Sequence, residues 1–511
     1  MNSKTTKKRV SPDRPAAKAP GESPPITSAR AAWRVPLVIG LILLTCYSYF
    51  FYIIANWNID TRLALTHAIV DKGTFAIDDY HHRTQDKAYY NGHYYCDKAV
   101  GVSFLGVPAY WAYRQIMGPS EGSQIRRAYR GFFGNHVISL FTTALPAALA
   151  GVLLYLLLGY FTSAVGWRVW LTLAYGLGTL AFPYATMFFG HQTAAALGFA
   201  AFFILFRMRR KGWSPWGALG AGVLAGYSLI TDFLSFVVVG GLFIYAAIIL
   251  LERNPDRPVM QRLLPLLPFC IGVAMPLPLQ MWHNAACFGS PFASGYQYEV
   301  VEKFRVGMSR GFMGITYPRP EAFFQLTFGP RRGLFYESPF LLFMIPGVYI
   351  MVRRWRRGPG KAILPAESPY RLEGWLCAGI AFFSILLNSA YYLWWGGAAY
   401  GARFAIVAIP FMAVPALFAI PRAPIAFKIL AAGSIFFTSV VVVTTPLIGE
   451  VSPNPLLEGA FRTLFDRFFM AHPMFNFNLM MYLGVDDLRS VLPLVGFVAI
   501  CLLYLRSLKM P

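Results

Sequence analysis

Long apolar runs separated by short basic or turn-rich segments dominate the chain. A helix of about 20 apolar residues is long enough to cross the hydrocarbon core of a bilayer. Twelve such stretches predict membrane-spanning helices, at 35–54, 131–158, 166–185, 190–208, 215–232, 233–251, 264–282, 337–353, 373–391, 403–421, 424–444 and 490–506. The predicted fold class is therefore an all-α polytopic membrane protein with a bundle of about 12 transmembrane helices.

Three polar segments between these stretches, 56–130, 283–336 and 445–489, are too long to be simple connections. We expect them to pack on one face of the membrane domain. The first should contain two or three interfacial helices, because apolar and polar positions alternate at helical spacing over 60–72 and 100–117 is apolar and aromatic. Gly73 is expected to end the first of these helices.

The composition excludes a soluble domain. Of the 511 residues 56% are hydrophobic and 13% are charged, and the mean hydropathy is +0.49. In a soluble protein the net charge of +22 would suggest nucleic acid as a partner. Most of the basic residues here stand in short loops between apolar runs, where they set orientation in the membrane, so we expect no nucleic acid.

The short basic loops all fall on one side of the predicted bundle, which gives the chain an orientation. The basic residues lie at Arg168, 207–211, 253–262, 353–361, 422–428 and 506–509. Under the positive-inside rule both termini are cytoplasmic and the three long polar segments are outside. Residues 1–34, rich in Lys, Arg, Pro and Ser, are expected to be a disordered cytoplasmic tail, and 35–511 the transmembrane domain.

The six cysteines show no metal-binding spacing. Cys96 and Cys287 both fall on the outer side, so a disulfide between them stays open.

Ionisable residues stand at the outer ends of the predicted spans. Asp60 follows the first span, and His191 and Asp232 lie at the outer mouths of otherwise apolar helices. Such residues are costly to place near lipid, which makes them candidates for function. Structural roles stay open as well, since Asp60 or Asn58 would suit a helix N-cap and His191 and Asp232 would suit a contact between helices.

Cations stand on the same side. Arg403 follows a run of Trp, Gly and Tyr, Lys98 follows Asp97, and Arg332 lies in the second long segment. An arginine fork can bind a phosphate in two directions and a lysine binds it as a point charge. Interfacial Lys and Arg also snorkel toward head groups beside aromatic belts, so anchoring in the membrane is the alternative reading.

Seven fragments in this order resemble the GT-C glycosyltransferases, which use polyprenyl-phosphate sugars. The resemblance spans roughly 36 to 421. The fragments are Asp60-Thr61-Arg62, Tyr95-Cys96-Asp97-Lys98-Ala99-Val100-Gly101, Phe188-Phe189-Gly190-His191, Leu229-Ile230-Thr231-Asp232-Phe233, Cys287 to Tyr296, Arg331 to Pro339, and Trp394-Trp395-Gly396-Gly397 with Tyr400-Gly401-Ala402-Arg403-Phe404. The sequence departs from the family pattern at Cys96 and Val100, where Ser and Pro are expected.

The resemblance implies a role for each candidate. Asp60 would be the base that activates the acceptor hydroxyl. Phosphate-binding residues of the donor site would be Lys98, Arg403 and Arg332. Substrate contacts would come from Asp97, His191, Asp232, Tyr296, Trp395 and Tyr400. A divalent cation, Mg²⁺ or Mn²⁺, with Asp60 stays open, although no ligand spacing demands one.

The expected function is the transfer of a sugar, hexose or pentose, from a polyprenyl-phosphate donor to a lipid, glycan or protein acceptor, with inversion at the anomeric carbon. The resemblance implies a multi-pass protein of the bacterial inner membrane with its active site on the periplasmic face. A transporter of lipid-linked sugars would show inverted repeats and helices broken at mid-membrane, and the sequence shows neither. An oligosaccharide polymerase or ligase would show paired arginines in outer loops, and Arg331-Arg332 is the one pair that fits.

Overall fold

The computed structural model describes residues 29–51, 56–118, 124–253, 255–353, 369–450, 452–470, 476–485 and 487–508. Most of the expected N-terminal tail, 1–28, and most of the basic segment 353–361 lie outside these residues. The part of the tail that is described is helical, because the first helix begins at Ala29. The division at residue 34 between a tail and a transmembrane domain stays a prediction.

The described chain is almost entirely helical. Helices of its first half are α1 Ala29–Ser48, α2 Trp57–Lys72, α3 Gly101–Met117, α4 Gln124–Ser139, α5 Leu145–Leu158, α6 Val165–Leu177, α7 Ala181–Ala185, α8 Gly190–Lys211, α9 Pro215–Thr231 and α10 Phe236–Arg253. A π-helical turn, Leu140–Ala144, joins α4 to α5, and a 3-10 turn, Phe233–Ser235, precedes α10.

The second half continues in the same way. Its helices are α11 Val259–Leu263, α12 Leu267–Ala274, α13 Leu277–Phe288, α14 Glu302–Met308, α15 Pro320–Thr327, α16 Leu334–Glu337, α17 Met344–Val352, α18 Arg371–Ala390, α19 Ile409–Ala419, α20 Pro424–Thr444, α21 Arg462–Met470, α22 Leu479–Tyr482 and α23 Leu492–Ser507. Short 3-10 turns at Gly295–Tyr298 and Arg403–Ala408 carry residues of the site below.

Eight helical segments of the described chain are long and apolar enough to cross a membrane. They are Arg130–Leu158, Gly190–Lys211, Phe233–Arg253, Val259–Phe288, Arg371–Ala390, Arg403–Arg422, Pro424–Thr444 and Leu488–Ser507. Two shorter apolar helices are Trp33–Ser48 and Pro339–Val352. The class of polytopic helical membrane protein is thus confirmed, and the count of twelve spans stays a prediction.

The first long polar segment contains the two helices expected of it, α2 and α3. The Asn56 side chain caps α2 by accepting from the backbone N–H groups of Asn58 and Ile59, and Gly73 ends it in the left-handed region with φ of 65°. A two-stranded hairpin lies between the helices, with β1 Ala88–Tyr90 paired antiparallel to β2 His93–Tyr95. The sequence reading missed this hairpin, which turns at Asn91 and Gly92, both with positive φ.

The three long polar segments pack together at one end of the bundle, as expected. The Lys98 Nζ of the first lies 3.7 Å from the Glu299 Oε1 of the second. Arg331 of the second donates to the backbone carbonyl of Glu450 in the third. Residues that lie far apart in sequence therefore form a single polar layer over the helix ends.

Helices α9 and α12 approach each other through glycines. A Cβ atom on Gly222 would lie 2.2 Å from the carbonyl oxygen of Phe269, and one on Gly226 would lie 2.2 Å from that of Val273. On α12, a Cβ atom on Gly272 would lie 2.3 Å from the carbonyl oxygen of Leu219. Small residues four apart let membrane helices pack backbone to backbone, where dispersion stabilises them.

We expect Gly222→Ile to separate α9 from α12, because the obstructing atom is backbone and cannot rotate away. Overpacking of this kind costs about 1–3 kcal/mol, which should appear as a lower melting temperature of the purified protein. Gly220→Ile on the same helix is the matched control, since a Cβ atom at that position would meet nothing within 4 Å. Equal melting temperatures for the two variants would contradict the close packing.

Candidate functional site

A cavity of about 370 Å³ lies where the polar layer meets the helix ends. Its polar lining combines residues from distant parts of the chain: Asn58, Arg62, Asp86, Lys98, His191, Asp232, Tyr296, Glu299, Tyr391, Tyr392 and Arg403. The remaining wall is apolar and includes Leu229, Phe233, Phe236, Phe304, Met308, Phe312, Met313, Ile315, Leu393 and Phe404. The cavity wall thus combines charged groups with apolar surface suited to hydrocarbon.

Lys98 stands at the centre of an acidic cluster. Its ammonium lies 3.3 Å from Asp86, 3.7 Å from Glu299 and in hydrogen-bonding contact with Asp97. It also lies 5.4 Å from the ring centroid of Tyr296. The hairpin places Asp86 just before β1, and a bridge between Ala88 and Glu299 holds the second polar segment against that strand.

One ammonium cannot neutralise three buried carboxylates. Burial and the charge of Asp97 raise the pKa of Glu299 to about 10, so Glu299 carries a proton at neutral pH. Burial also raises the pKa of Asp86, against the opposing effect of Lys98. Burial alone would lower the pKa of Lys98, but its carboxylate neighbours hold it above the ordinary value, so Lys98 stays charged. These contacts make Lys98 the organiser of the acids, and its expected role as a phosphate ligand stays a prediction.

His191 and Asp232 form a buried pair at the start of α8 and the end of α9. The His191 Nδ1 lies 2.7 Å from the Asp232 Oδ2, and the other Asp232 oxygen accepts from the backbone N–H of Leu234. The His191 Nε2 has no hydrogen-bond partner among the described residues although it is buried. The carboxylate fixes the imidazole ring and leaves its second nitrogen for a ligand in the cavity.

Arg403 presents its guanidinium to the cavity between two aromatic rings. The Cζ atom lies 5.3 Å from the ring centroid of Phe189 and 4.9 Å from that of Phe404. Its Nε is buried without a partner in the described part of the chain. Gly396 has φ of 76°, and a Cβ atom there would lie 2.9 Å from this Nε, so the glycine makes room for the guanidinium.

Arg62 is a second guanidinium in the cavity wall. It donates through Nε to the Asn58 side chain at 3.2 Å and through Nη1 to the carbonyl of Ala99 at 2.7 Å. These contacts link α2 to the segment that carries Lys98 and fix the guanidinium in place.

Asp60 lines neither this cavity nor the smaller cleft beside it, which is described below. Its Oδ2 accepts from the backbone N–H of Asn56 at 2.9 Å, so it closes the first turn of α2. Burial raises its pKa to about 7, against the hydrogen bond from Asn56 and the charge of Arg83. The N-cap of α2 is thus Asn56 and neither Asp60 nor Asn58, the two residues expected for that role, and Asp60 supports the cap through this bond.

Three further candidates lie behind the cavity. Arg332 is fully buried and donates to the carbonyls of Trp395, Gly397 and its own neighbour Arg331. Tyr400 is fully buried, and its carbonyl accepts from Tyr184. Through its bonds to Trp395 and Gly397, Arg332 holds the loop that follows Trp394, and its expected role as a phosphate ligand stays a prediction. Trp395 and Tyr400 belong to the same loop and do not line the cavity.

Two other spaces adjoin the cavity. A cleft of about 220 Å³ is lined by Asn56, Trp57, Asn58, Asp86, Phe304, Leu393, Gly396, Gly397, Ala398, Arg403 and Glu450. A groove of about 380 Å³ runs between α10 and α18 and is lined by Phe236, Val237, Gly240, Gly241, Ile244, Tyr245, Ile248, Leu372, Trp375, Leu376, Gly379, Ile380, Phe383 and Leu387. The cleft shares five lining residues with the cavity, and the groove shares Phe236.

The described residues contain no group of three or more His, Cys, Asp or Glu side chains arranged to hold a metal ion. The acids nearest to one another, Asp86, Asp97 and Glu299, surround Lys98. An ammonium therefore occupies the place where a cation ligand set would otherwise form.

Five of the candidates predicted from the sequence line the cavity, namely Lys98, His191, Asp232, Tyr296 and Arg403. It did not assign a role to Arg62, Asp86 or Glu299. The run Asp86-Lys87 repeats the acid-lysine pair of Asp97-Lys98 eleven positions earlier, and this signal could have drawn attention to Asp86. Glu299 has no such signal, because only the hairpin brings it to Lys98.

The fold and the cavity define an all-helical polytopic membrane protein with a charged site at one end of its bundle. No protein-family model matches the chain, and no curated protein matches its sequence. Among solved structures, ArnT from Cupriavidus metallidurans in the apo state is similar over 93% of this chain and 75% of ArnT, with 13% identity and a TM-score of 0.47. The same enzyme bound to undecaprenyl phosphate gives 12% identity and a TM-score of 0.45 over the same shares.

The archaeal oligosaccharyltransferase AglB from Archaeoglobus fulgidus, in complex with an inhibitory peptide and a dolichol-phosphate, is also similar. The likeness covers 80% of this chain and 55% of AglB, with 12% identity and a TM-score of 0.43.

Proposed function

We propose that the chain is an integral membrane glycosyltransferase that transfers a sugar from a polyprenyl-phosphate donor. One observation carries the proposal: a cavity with fixed guanidinium groups adjoins an apolar groove between two helices that are long enough to cross a membrane. A ligand that fills both spaces must have an anionic head and a long hydrocarbon chain. A polyprenyl phosphate that carries a sugar has this form.

The groove between α10 and α18 suits the polyprenyl chain. Its lining includes three glycines, which leave space because they lack side chains: Gly240, Gly241 and Gly379. Its aromatic lining residues are Phe236, Trp375 and Phe383. Phe236 lines both the groove and the cavity, so the chain can continue from one into the other. A phosphate at the end of this path enters the charged part of the cavity.

Arg403 and Arg62 are the cations best placed for the donor phosphate. Both line the cavity, and aromatic or hydrogen-bonding neighbours fix both. Arg403 keeps a buried nitrogen without a partner in the described chain, which a phosphate oxygen would satisfy. Lys98 offsets part of the negative charge of Asp86 and Asp97 beside these arginines, and its contact with Asp97 orients the ammonium.

Asp86 is the carboxylate we assign as the base. It lines the cavity and the neighbouring cleft, as Arg403 does. The acceptor hydroxyl would give its proton to Asp86 as its oxygen forms a bond to the anomeric carbon. The bond from that carbon to the phosphate oxygen breaks, and the electron pair leaves with the polyprenyl phosphate. A single displacement of this kind, with the polyprenyl phosphate leaving from the face opposite to the acceptor oxygen, would invert the anomeric carbon.

His191 and Glu299 would contact the transferred sugar. Each is buried, lines the cavity and has a side-chain atom without a partner among the described residues. A protonated Glu299 can donate to a sugar oxygen, and the free nitrogen of His191 can bond a hydroxyl. We keep the outer face of the bacterial inner membrane as the expected location, with both termini cytoplasmic.

The test uses the full chain in lipid nanodiscs with a panel of polyprenyl-phosphate sugars and an extract of envelope lipids and glycans as acceptors. Wild-type protein should release polyprenyl phosphate from at least one donor, and the sugar should appear on an acceptor. The protein with Arg403→Gln serves as the control for contaminating hydrolases. Absence of release across the panel, or movement of intact donor across the bilayer without cleavage, would contradict the proposal.

A further inference from the structure

The cleft beside the cavity is lined largely by polar groups, whereas the groove between α10 and α18 is apolar. Its polar lining includes Asn56, Asn58, Asp86, Arg403 and Glu450. Backbone of Gly396, Gly397 and Ala398 forms another part of its wall. The apolar residues are Trp57, Phe304 and Leu393. A hydrocarbon chain in the cleft would remove these polar groups from water without offering them a hydrogen bond, which is costly.

Trp57 gives the cleft a flat aromatic surface. Its side chain is about half exposed, at 47%, although it stands at the first position of α2 next to the cap residue Asn56. An exposed indole ring beside carboxylate and amide groups is suited to a ligand with an apolar face and a polar edge. A sugar ring has both, since its C–H bonds can stack on the indole while its hydroxyls bond the polar groups.

Glycines bring the opposite wall close to the ligand. Gly396 and Gly397 have φ of 76° and 72°, and a Cβ atom on Gly397 would lie 3.6 Å from the Glu450 carboxylate. Arg332 holds this loop by donating to the carbonyl of Gly397. The cleft wall is therefore a fixed backbone surface next to an acid that can accept from hydroxyls.

The position of the cleft sets the direction of approach. Asp86 and Arg403 lie between the cleft and the cavity, because both residues line both spaces. A hydroxyl group that enters through the cleft therefore reaches the proposed base, which the groove between α10 and α18 does not contact.

We propose that this cleft is the acceptor subsite and that it takes a hydroxyl-rich sugar of a glycan, stacked on Trp57 and bonded by Glu450. The inference rests on the proposed function, and it names the acceptor class that the proposed function leaves open. The acceptor presents a sugar ring, and no hydrocarbon chain of the acceptor enters the protein at this point.

Binding of sugar can be measured without any turnover. Full-length protein in nanodiscs, free of sugar-based detergent, is mixed with methyl glycosides of glucose, mannose, galactose and N-acetylglucosamine, and saturation-transfer NMR reports contact. At least one glycoside should bind wild-type protein, and Trp57→Ala should weaken that binding by about tenfold, the loss expected for one stacking contact. Trp111→Ala, which removes another exposed tryptophan (57%) that lines neither space, should bind as wild type does.

Turnover gives the second measurement. With a productive donor, Trp57→Ala and Glu450→Gln should raise the acceptor KM by about tenfold each, while the donor KM stays within about twofold. Glycoside binding that none of the variants changes, or an equal rise in donor and acceptor KM, would overturn the subsite. The wild-type protein could bind sugar through Trp57 and yet cleave no donor. That result would reject the proposed glycosyl transfer and leave the cleft as a sugar-binding site.

Discussion

Replacement of Asp86 by Asn is expected to lower the rate of sugar transfer by about a hundredfold or more, the range typical for loss of a general base. The amide keeps the size of the side chain but cannot take the proton of the acceptor hydroxyl. Binding of undecaprenyl phosphate should persist, because the variant removes a negative charge near the donor phosphate. The rate should also fall as the pH is lowered through the pKa of Asp86, which burial raises above its ordinary value.

Asp60→Asn is the matched control for this prediction. Asp60 is an acid of the same outer segment that lines neither the cavity nor the cleft. An amide oxygen at this position can still accept from the backbone N–H of Asn56. We expect a rate within about threefold of wild type, since substitutions away from a site change little. A loss of turnover in Asp60→Asn with an active Asp86→Asn would return the role of base to Asp60, as the family resemblance implies.

Loss of the Arg403 guanidinium should weaken donor binding strongly. Arg403→Gln is expected to raise the dissociation constant for undecaprenyl phosphate by about ten- to a hundredfold, because a buried charge-assisted hydrogen bond to an anion contributes about 1.5–3 kcal/mol. Arg403→Lys should recover part of the affinity, since an ammonium keeps the charge without the planar fork. Titration of the purified variants with undecaprenyl phosphate measures both effects.

Arg310→Gln is the control for charge in the same region. Arg310 is exposed in the second long polar segment and lines neither the cavity nor the groove. Its loss should leave the dissociation constant within about twofold, because exposed charges are screened by solvent. An equal weakening in Arg310→Gln and Arg403→Gln would mean that net charge attracts the anion and would remove Arg403 from the site. The melting temperatures of all variants separate loss of binding from loss of fold.

The helices could be predicted because the physics of a bilayer acts on local sequence. A span must satisfy its backbone hydrogen bonds within itself, so a long apolar run has few alternatives to a helix. The break between α9 and α10 is a further example. Asp232 accepts from the backbone N–H of Leu234 at this break, and an acid in an apolar stretch suggests such a boundary. Gly73 ends α2 for an equally local reason, its positive φ.

The sequence could bring together part of the cavity lining because those residues stand at helix ends. His191, Asp232 and Arg403 each stand at one end of an apolar helix, so the alternation of basic loops places them on one side. Asp60 satisfies the same criterion and still lies outside the cavity lining. The sequence says at which end of a helix a residue stands, but the rotation of the helix depends on neighbours that are distant in the chain.

The sequence by itself determined the class of protein, the approximate positions of its helices and the end of the bundle where charge collects. These features follow from hydropathy and from the distribution of Lys and Arg along the chain. Only the tertiary structure decided which acids share the cavity. The three-residue strands of the hairpin bring Glu299 to Lys98 and Asp86, and contacts across more than 200 positions of sequence leave no local pattern.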